Sequence, residues 1–540
     1  MAMKLDSTPA AGGFSFSWDD PTHSLAVEND GLRKCLFQFN APVYAVREVE
    51  KVGLSNTGNS IALDGKLSNL AGWLPPLSLS QFGEPSFCSA YGVKAAYYTG
   101  GMANAIASEE MVIELAKTGL LGSFGSGGIS MERLQKAIET IQAAIPDGRY
   151  VFNMLHNPFE PEIEQQTIDL YLKNHIRTVE AAAYIRLTPA IVQYRAAGLS
   201  RDNSGNIHIE NRIIAKVSRK EIALLFLHPA PENILAELAA SGRITHDQAE
   251  LAGQIPLADD ITVEADSGGH TDNQPLVSLL PSIIALRDQV QKEHNYIYPV
   301  RIGAAGGIST PGSALAAYMM GAAYIVTGSV NQACVESGAS EHTRSLLAQI
   351  DMADVIMAPS ADMFELGARV QVLKKGTFFP MRAQKLYDLY TSCGSIDDIP
   401  AEMRSELENK VFKHSLDEIW RETTGFFAKR NPEQIAKAEQ DPKKKMALIF
   451  RWYLGLASRW SRDGVEDRKM DYQIWCGPSM GAFNQWVKGT YLEDFRNRHV
   501  SDVAWQLLNG CAYLYRVQSL KLQGISFPKE LESYYPQAQE

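Results

Sequence analysis

Long apolar runs are missing from this sequence. No stretch reaches the roughly 20 apolar residues that a membrane span needs, and the opening MAMKLDSTPAAGG carries no apolar leader. No membrane is therefore expected as a partner, and the cytoplasm is the expected location. Cysteine is scarce and dispersed: Cys35, Cys88, Cys334, Cys393, Cys476 and Cys511 form no CxxC and no metal-ligand spacing. That pattern predicts free thiols in a reducing compartment and no metal site. Positive charge is in deficit, with a formal net charge of −11, which argues against nucleic acid as the main partner while leaving room for local basic patches. HExxH and a Walker loop are absent, so zinc-dependent hydrolysis and nucleotide phosphoryl transfer have no positive support.

The chain has 540 residues, 45% hydrophobic and 21% charged, which is ordinary for a globular protein and long enough for more than one compact unit. Its most informative stretch is YPVRIGAAGGISTPGSALAAYMMGAAYIVTGS, Tyr298 to Ser329. An apolar strand (Val300 to Gly307) runs into paired glycines, an alanine-rich helix follows (Pro311 to Met320), and a second strand runs into Gly328 and Ser329. Apolar runs without polar alternation mark buried parallel strands, and terminal glycines let the backbone turn and approach a ligand closely. The 22 residues from Gly306 to Gly328 are enough for a helical crossover, which would set both glycine turns at the same end of neighbouring strands. Loops after the seventh and eighth strands of a (β/α)8 barrel commonly hold a phosphate on backbone N–H groups. A pair of tight turns in some other α/β protein stays open at this point.

Similar units recur from Gly92 onward. Strands are expected at Lys94 to Met102, in GLLGSFGSGG, and at Tyr150 to Leu155, Thr178 to Tyr184, Ile213 to Ser218 and Ile261 to Ser267. Helices are expected at Ser108 to Thr118, Met131 to Ala144, Glu162 to Asn174 and Thr188 to Ala197, with two more between His228 and Ala258; RDNSGNIHIENR reads as a hairpin-like insert. With the opening pair this makes eight βα steps, the number that closes a TIM barrel, although an open doubly wound sheet uses similar units. The expected fold is α/β, a (β/α)8 barrel over 86–358 with an N-terminal extension (1–85, strand-like in PVYAVREVEKVGLS) and a C-terminal helical region (359–540) with few strand signals. Five of the eight tryptophans, Trp420, Trp452, Trp460, Trp475 and Trp486, fall in that last region, enough apolar surface for a separate helical layer. DPKKK, Arg451, Arg459 and Arg462 give it a local positive patch, which a solvated helix face would also explain.

The strand ending ITVEADSGGH delivers Asp266, Gly268, Gly269, His270 and Asp272 to the same mouth as the glycine turns. A histidine titrates near neutral pH, so His270 is the acid–base candidate, with His156 as its competitor. Asn153 and Lys216 lie near strand ends; a lysine in an apolar strand calls for a partner, such as an electron-rich ring edge. Gly101 and Met102 are placed to bring backbone N–H groups against a flat cofactor.

The ordered motifs TGGMANAIASEEMVIELAKTGLLGSFGSGG, VFNML, EADSGGHTDNQP, IGAAGGIST and IVTGSVNQA resemble those of FMN-dependent barrels of the nitronate monooxygenase and FabK enoyl-reductase superfamily. DVIMAPSADMFELGARVQVLKKGT, KMALIFRWYLGLASRW and DYQIWCGPSMGAFNQWVKGT narrow the likeness to PfaD-type trans-acting enoyl reductases of polyunsaturated fatty acid synthases and polyketide assembly lines. The resemblance implies an FMN with its phosphate against Gly306, Gly307, Gly328 and Ser329, and its ring near Gly101, Met102, Asn153 and Lys216. His270 would stand in the GGH motif with Gly268 and Gly269, followed here by Thr271 and Asp272 rather than by the basic residue and glycine frequent in the superfamily. It further implies NADPH (NADH less so) as the reductant, a 2-enoyl thioester on acyl carrier protein as the substrate, and the helical region as lid and carrier-docking surface. Homodimers are common for barrels of this size. A nitronate monooxygenase with His270 as base, and a non-catalytic FMN-bearing scaffold of a synthase, are the alternative readings.

Overall fold

Short apolar runs, each ended by a turn and followed by a capped helix, build the centre of the molecule. A computed structural model describes residues 3–5, 16–20, 24–48, 51–62, 69–158 and 160–538. Within them, eight parallel strands close into a barrel: β1 (Tyr97–Thr99), β2 (Leu121–Phe124), β3 (Val151–Leu155), β4 (Thr178–Ala182), β5 (Arg212–Val217), β6 (Asp260–Glu264), β7 (Arg301–Ala305) and β8 (Ile325–Thr327). Closure is made by β8 pairing with β1, Ile325 opposite Tyr97, which excludes the open doubly wound sheet. Serine and threonine N-caps at Ser108, Ser130, Thr188 and Thr310 start the crossover helices by accepting from free backbone N–H groups.

The barrel is filled, not hollow. Tyr98 Oη, Thr262 Oγ1 and Tyr324 Oη form a hydrogen-bonded layer at 3.1 and 2.9 Å, and Gly303 makes room for the Tyr324 ring, which a Cβ there would overlap. Beneath this layer, helix Pro85–Tyr91 plugs the N-terminal end: Phe87 stacks on Tyr324 at 4.4 Å, and Tyr91 donates to buried Asp260, which also takes Arg301 at 2.6 and 2.7 Å. The plug leaves the C-terminal ends of the strands as the open face.

Several expected bounds shift. The first strand, expected over Lys94 to Met102, pairs only over Tyr97–Thr99, because the chain turns at the glycines that follow. Helices Lys220–Leu227 and Leu276–His294 were not anticipated, the second carrying Pro281 inside it. The region after Pro359 was expected to be poor in strands, yet β10 (Arg369–Leu373) lies in it, forms an antiparallel hairpin with β9 (Val355–Pro359) just before it, and takes Gly269–His270 on its other edge with Gly269 opposite Gln371. Val370 and Val372 bury one face of β10 in the helical layer, which secures the hairpin.

That layer has its own core of Phe364, Phe379, Leu386, Phe412, Phe450 and Tyr453, bordered by Trp420, Trp452, Trp460 and Trp475. Trp486 belongs to the barrel core instead. Four helices matter below: α1 (Pro311–Met319), α2 (Leu416–Arg430), α3 (Pro442–Asp463) and α4 (Val500–Leu522). The chain returns from the helical layer along β10, where Leu373 N donates to Ile474 O at 2.8 Å, and α4 then packs on α1, with Gly510 allowing close approach to Pro311. Buried Arg516 on α4 donates to the carbonyls of Cys35, Leu36, Gln38, Phe39 and Ala41, so a single guanidinium clasps the N-terminal segment. The expected alternation in PVYAVREVEKVGLS forms strands Val43–Glu48 and Lys51–Ser55; Val49 and Glu50, and residues 6–15 of the opening segment, lie outside the described residues.

Candidate active site

Strand ends on the open face bring together a largely buried polar cluster. Glu180, wholly buried on β4, accepts from Gly101 N at 3.1 Å and from Asn153 Nδ2 at 3.1 Å. Lys216 on β5 reaches Glu264 at 3.1 Å and Glu180 at 3.7 Å. Burial works against the ammonium, but Glu264 and Glu180 outweigh it and hold Lys216 above the ordinary lysine range. Burial likewise pushes the Glu180 carboxyl up, opposed by Lys216 and the Gly101 N–H. The partner of Lys216 in this structure is thus a pair of carboxylates rather than a ring edge, and the Gly101 N–H points to Glu180. Met102 turns its carbonyl to Ala107 N at 3.2 Å.

Beside this cluster, β7 and β8 run in register, with Ala305 opposite Val326, so their following turns are neighbours. Gly306 and Gly307 take φ of +81° and +74°, a region that favours glycine, and a Cβ on Gly306 would lie 2.7 Å from the Ala265 backbone. Space is open on the side where Gly307 and Gly328 lack a Cβ, and among the described residues the N–H groups of both have no hydrogen-bond partner. Two adjacent turns with free backbone donors and clear space fit an anionic tail such as a phosphate. Ser329 Oγ accepts from Gly477 N at 3.1 Å, which ties the returning segment to the same turn.

His270 stands above, on the strand paired to β10. Its Nε2 lies 3.2 Å from Asp362 Oδ1, presented by the β9–β10 hairpin. Burial opposes protonation, yet the hydrogen bond and charge of Asp362 outweigh it and raise the imidazole above its ordinary value; the Asp362 carboxyl is pulled down to about 2. Both side chains keep access to solvent, at 44% and 58%. The loop itself is braced on two sides: Gln371 Nε2 donates to Asp266 Oδ1 and Ser267 O, both at 2.7 Å, and Asp272 pairs with Arg219 at 2.6 Å. Gly268 is packed by the Cys476 backbone, 2.8 Å from where its Cβ would be, and Gly269 leads directly into His270.

His156 takes no part in this arrangement. It is buried against Glu164 (Nδ1 to Oε2, 2.9 Å) and stacked on Tyr184 at 5.1 Å, held by helix Pro161–Lys173. Sequence reasoning missed Glu180, Glu264 and Asp362. The two glutamates were open to the argument made for Lys216, since each is a charge inside an apolar strand; Asp362 had no such signal.

Residues 92–375 match the nitronate monooxygenase family, and the chain belongs to that family. Within it, the kinship with PfaD-type enoyl reductases expected from the C-terminal blocks is shown. The chain is 47% identical over 508 residues to a polyunsaturated fatty acid synthase polypeptide of Thraustochytrium sp., covering 93% of this chain and 33% of that protein. It is also 47% identical over 447 residues to polyketide biosynthesis protein PksE of Bacillus subtilis, covering 82% and 58%. The chain thus spans about a third of the first relative and little more than half of the second. The crystal structure of the enoyl reductase domain of MlnA, from the macrolactin biosynthesis cluster of Bacillus amyloliquefaciens, superposes with a TM-score of 0.78 at 41% identity, covering 82% of this chain and 99% of that one. Residues 393–472 separately match the inserted helical domain of [acyl-carrier-protein] S-malonyltransferase, the stretch that contains α2 and α3. Among the described residues no helix is long and apolar enough to cross a membrane.

Proposed function

We propose that this protein is an FMN-dependent enoyl reductase acting in trans on 2-enoyl thioesters carried by acyl carrier protein, in polyunsaturated fatty acid or polyketide synthesis, with NADPH as reductant. The likeness to the MlnA enoyl reductase domain over nearly its whole length supports the reaction class. Residues 86–358 serve as the cofactor barrel, 1–85 as an extension against it, and 359–540 as lid and carrier surface; the likeness of 393–472 to a helical domain of a carrier-protein transferase supports that last role. Gly306, Gly307, Gly328 and Ser329 would hold the FMN phosphate, Gly101, Met102, Asn153 and Lys216 would lie toward its ring, and Gly268 and Gly269 lead into His270 at the same mouth. When bound, FMN would supply the hydride-transfer chemistry that links NADPH to the β-carbon of the substrate.

The chain's own part is to supply a proton. Adding hydride to the β-carbon leaves enolate charge on the thioester oxygen, and the α-carbon must then gain a proton for the C–C double bond to become single. The observation that carries this reading is the Asp362–His270 pair: a carboxylate 3.2 Å from Nε2 keeps the imidazole protonated toward neutral pH, as a donor requires. A nitronate monooxygenase, which the family match also favours, needs that imidazole neutral, as a base toward a nitroalkane. Purified FMN-loaded protein mixed anaerobically with NADPH and crotonyl thioester tests the choice. Thioester-dependent NADPH oxidation supports the reductase; none, with oxygen uptake on a nitroalkane instead, rejects it.

A further inference from the structure

Helix α3 ends against the open face of the barrel. Ser458 Oγ accepts from Asn104 Nδ2 at 3.3 Å, in the loop that follows Gly101 and Met102, and the Ser461 carbonyl accepts from Ser340 and Thr343 at 2.7 and 2.9 Å, beyond β8. Nearby, Arg430 at the end of α2 grips Glu160, at the start of the helix that follows β3. The seam between helical layer and barrel therefore runs over loops of β1, β3 and β8, around the proposed cofactor site.

Three guanidinium groups crowd this seam, and two are neutralised. Arg430 has Glu160, and Arg462 has Asp463 through two hydrogen bonds at 2.6 and 3.0 Å. Arg459, next to Ser458 and only partly exposed, has neither an ion pair nor a hydrogen bond among the described residues. Burial first, then the charges of Arg462 and Arg430, hold its guanidinium below the ordinary arginine range. An arginine does not shed its proton in a protein, and a partly buried cation among like charges is unfavourable until an anion joins it. Both nearby carboxylates are already engaged, which leaves the Arg459 guanidinium available to an anion from outside the chain.

We propose that Arg459, flanked by Arg430 and Arg462, forms a subsite for a phosphate group of the incoming reactant, at the seam between α3 and the barrel mouth. The planar fork of arginine suits phosphate oxygens. The inference rests on the reductase reading, under which two reactants carry such a group: the pantetheine arm that tethers the thioester, and the 2′-phosphate that distinguishes NADPH from NADH.

Steady-state kinetics of wild type, Arg459→Gln and Arg459→Lys would be compared with crotonyl-pantetheine, crotonyl-4′-phosphopantetheine, NADH and NADPH. The expected result for Arg459→Gln is a rise of about tenfold in KM for the phosphorylated thioester, the loss of one charge-assisted contact, with KM for crotonyl-pantetheine within about twofold and partial rescue by lysine. A rise for NADPH alone, with NADH unmoved, also upholds the subsite and assigns it to the nucleotide. Equal changes for phosphorylated and unphosphorylated partners, or no change for any of them, overturn it. Calorimetry on the FMN-loaded protein with 4′-phosphopantetheine against pantetheine, and NADPH against NADH, reads the same contrast without turnover. Failure of wild type to turn over crotonyl-pantetheine rejects the reductase, while the calorimetric contrast still decides the subsite. Unchanged flavin absorbance and melting temperature in the variants show that the fold is kept.

Discussion

Two charged groups flank the proposed flavin position, and they are built in opposite ways. Lys216 lies inside the barrel between Glu180 and Glu264, with 14% of its side chain exposed and none of Glu180. His270 and Asp362 sit at the mouth, open to water, with the acid brought by a hairpin from outside the barrel. The interior group is fixed by strand register and cannot change charge without leaving a buried ion unpaired. The mouth pair can take and give a proton at modest cost, as acid–base work requires.

The largest effect that separates the two is expected from Lys216→Met. Removing the cation leaves the buried Glu180 carboxylate without its counter-ion, a loss of about 3 to 5 kcal/mol in urea unfolding; a loss below about 1 kcal/mol would erase the distinction. His270→Ala should behave in reverse, lowering kcat about 10² to 10⁴-fold while unfolding stays within about 0.5 kcal/mol of wild type. Asp362→Asn sharpens the same point through pH. A proton donor works below its pKa, so activity should fall as pH rises through the raised value of His270, and in the asparagine variant that fall should move to lower pH. The pair's contribution to stability has the matching window. It is complete between the ordinary carboxylate and imidazole values, about 4 and 6.5, fades as pH drops toward about 2 and fades again as pH climbs through the raised histidine value. Gly307→Ala is the mildest change: a side chain at φ +74° costs about 1 to 2 kcal/mol and intrudes on the phosphate turn, so FMN affinity by fluorescence quenching should weaken with it.

The same contrast explains what the sequence disclosed. Barrel strands were readable because buried parallel strands are unbroken apolar runs, and the β7 turn because Gly306 and Gly307 take a positive φ that favours glycine. Lys216 stood out as a charge in such a run, and TVEAAAY and ITVEADSGGH carried the same signal at Glu180 and Glu264. RVQVL alternates and carried a strand signal that was passed over, whereas VIMAP does not alternate; the hairpin is held by pairing with Gly269–His270 and by burial of Val370 and Val372. Asp362 meets His270 only through that tertiary pairing, which no local pattern encodes. Arg516 was hidden for a similar reason, since its five carbonyl partners belong to a segment at the other end of the chain.

The central claim is that the barrel mouth holds a flavin that moves reducing equivalents from NADPH to an enoyl thioester. Its most direct test is the visible spectrum of the purified protein under anaerobic conditions, recorded alone, after one equivalent of NADPH, and after crotonyl thioester. Flavin bands that bleach with NADPH and return with the thioester are predicted; bands that never form with added FMN, or that stay bleached until oxygen enters, would contradict it.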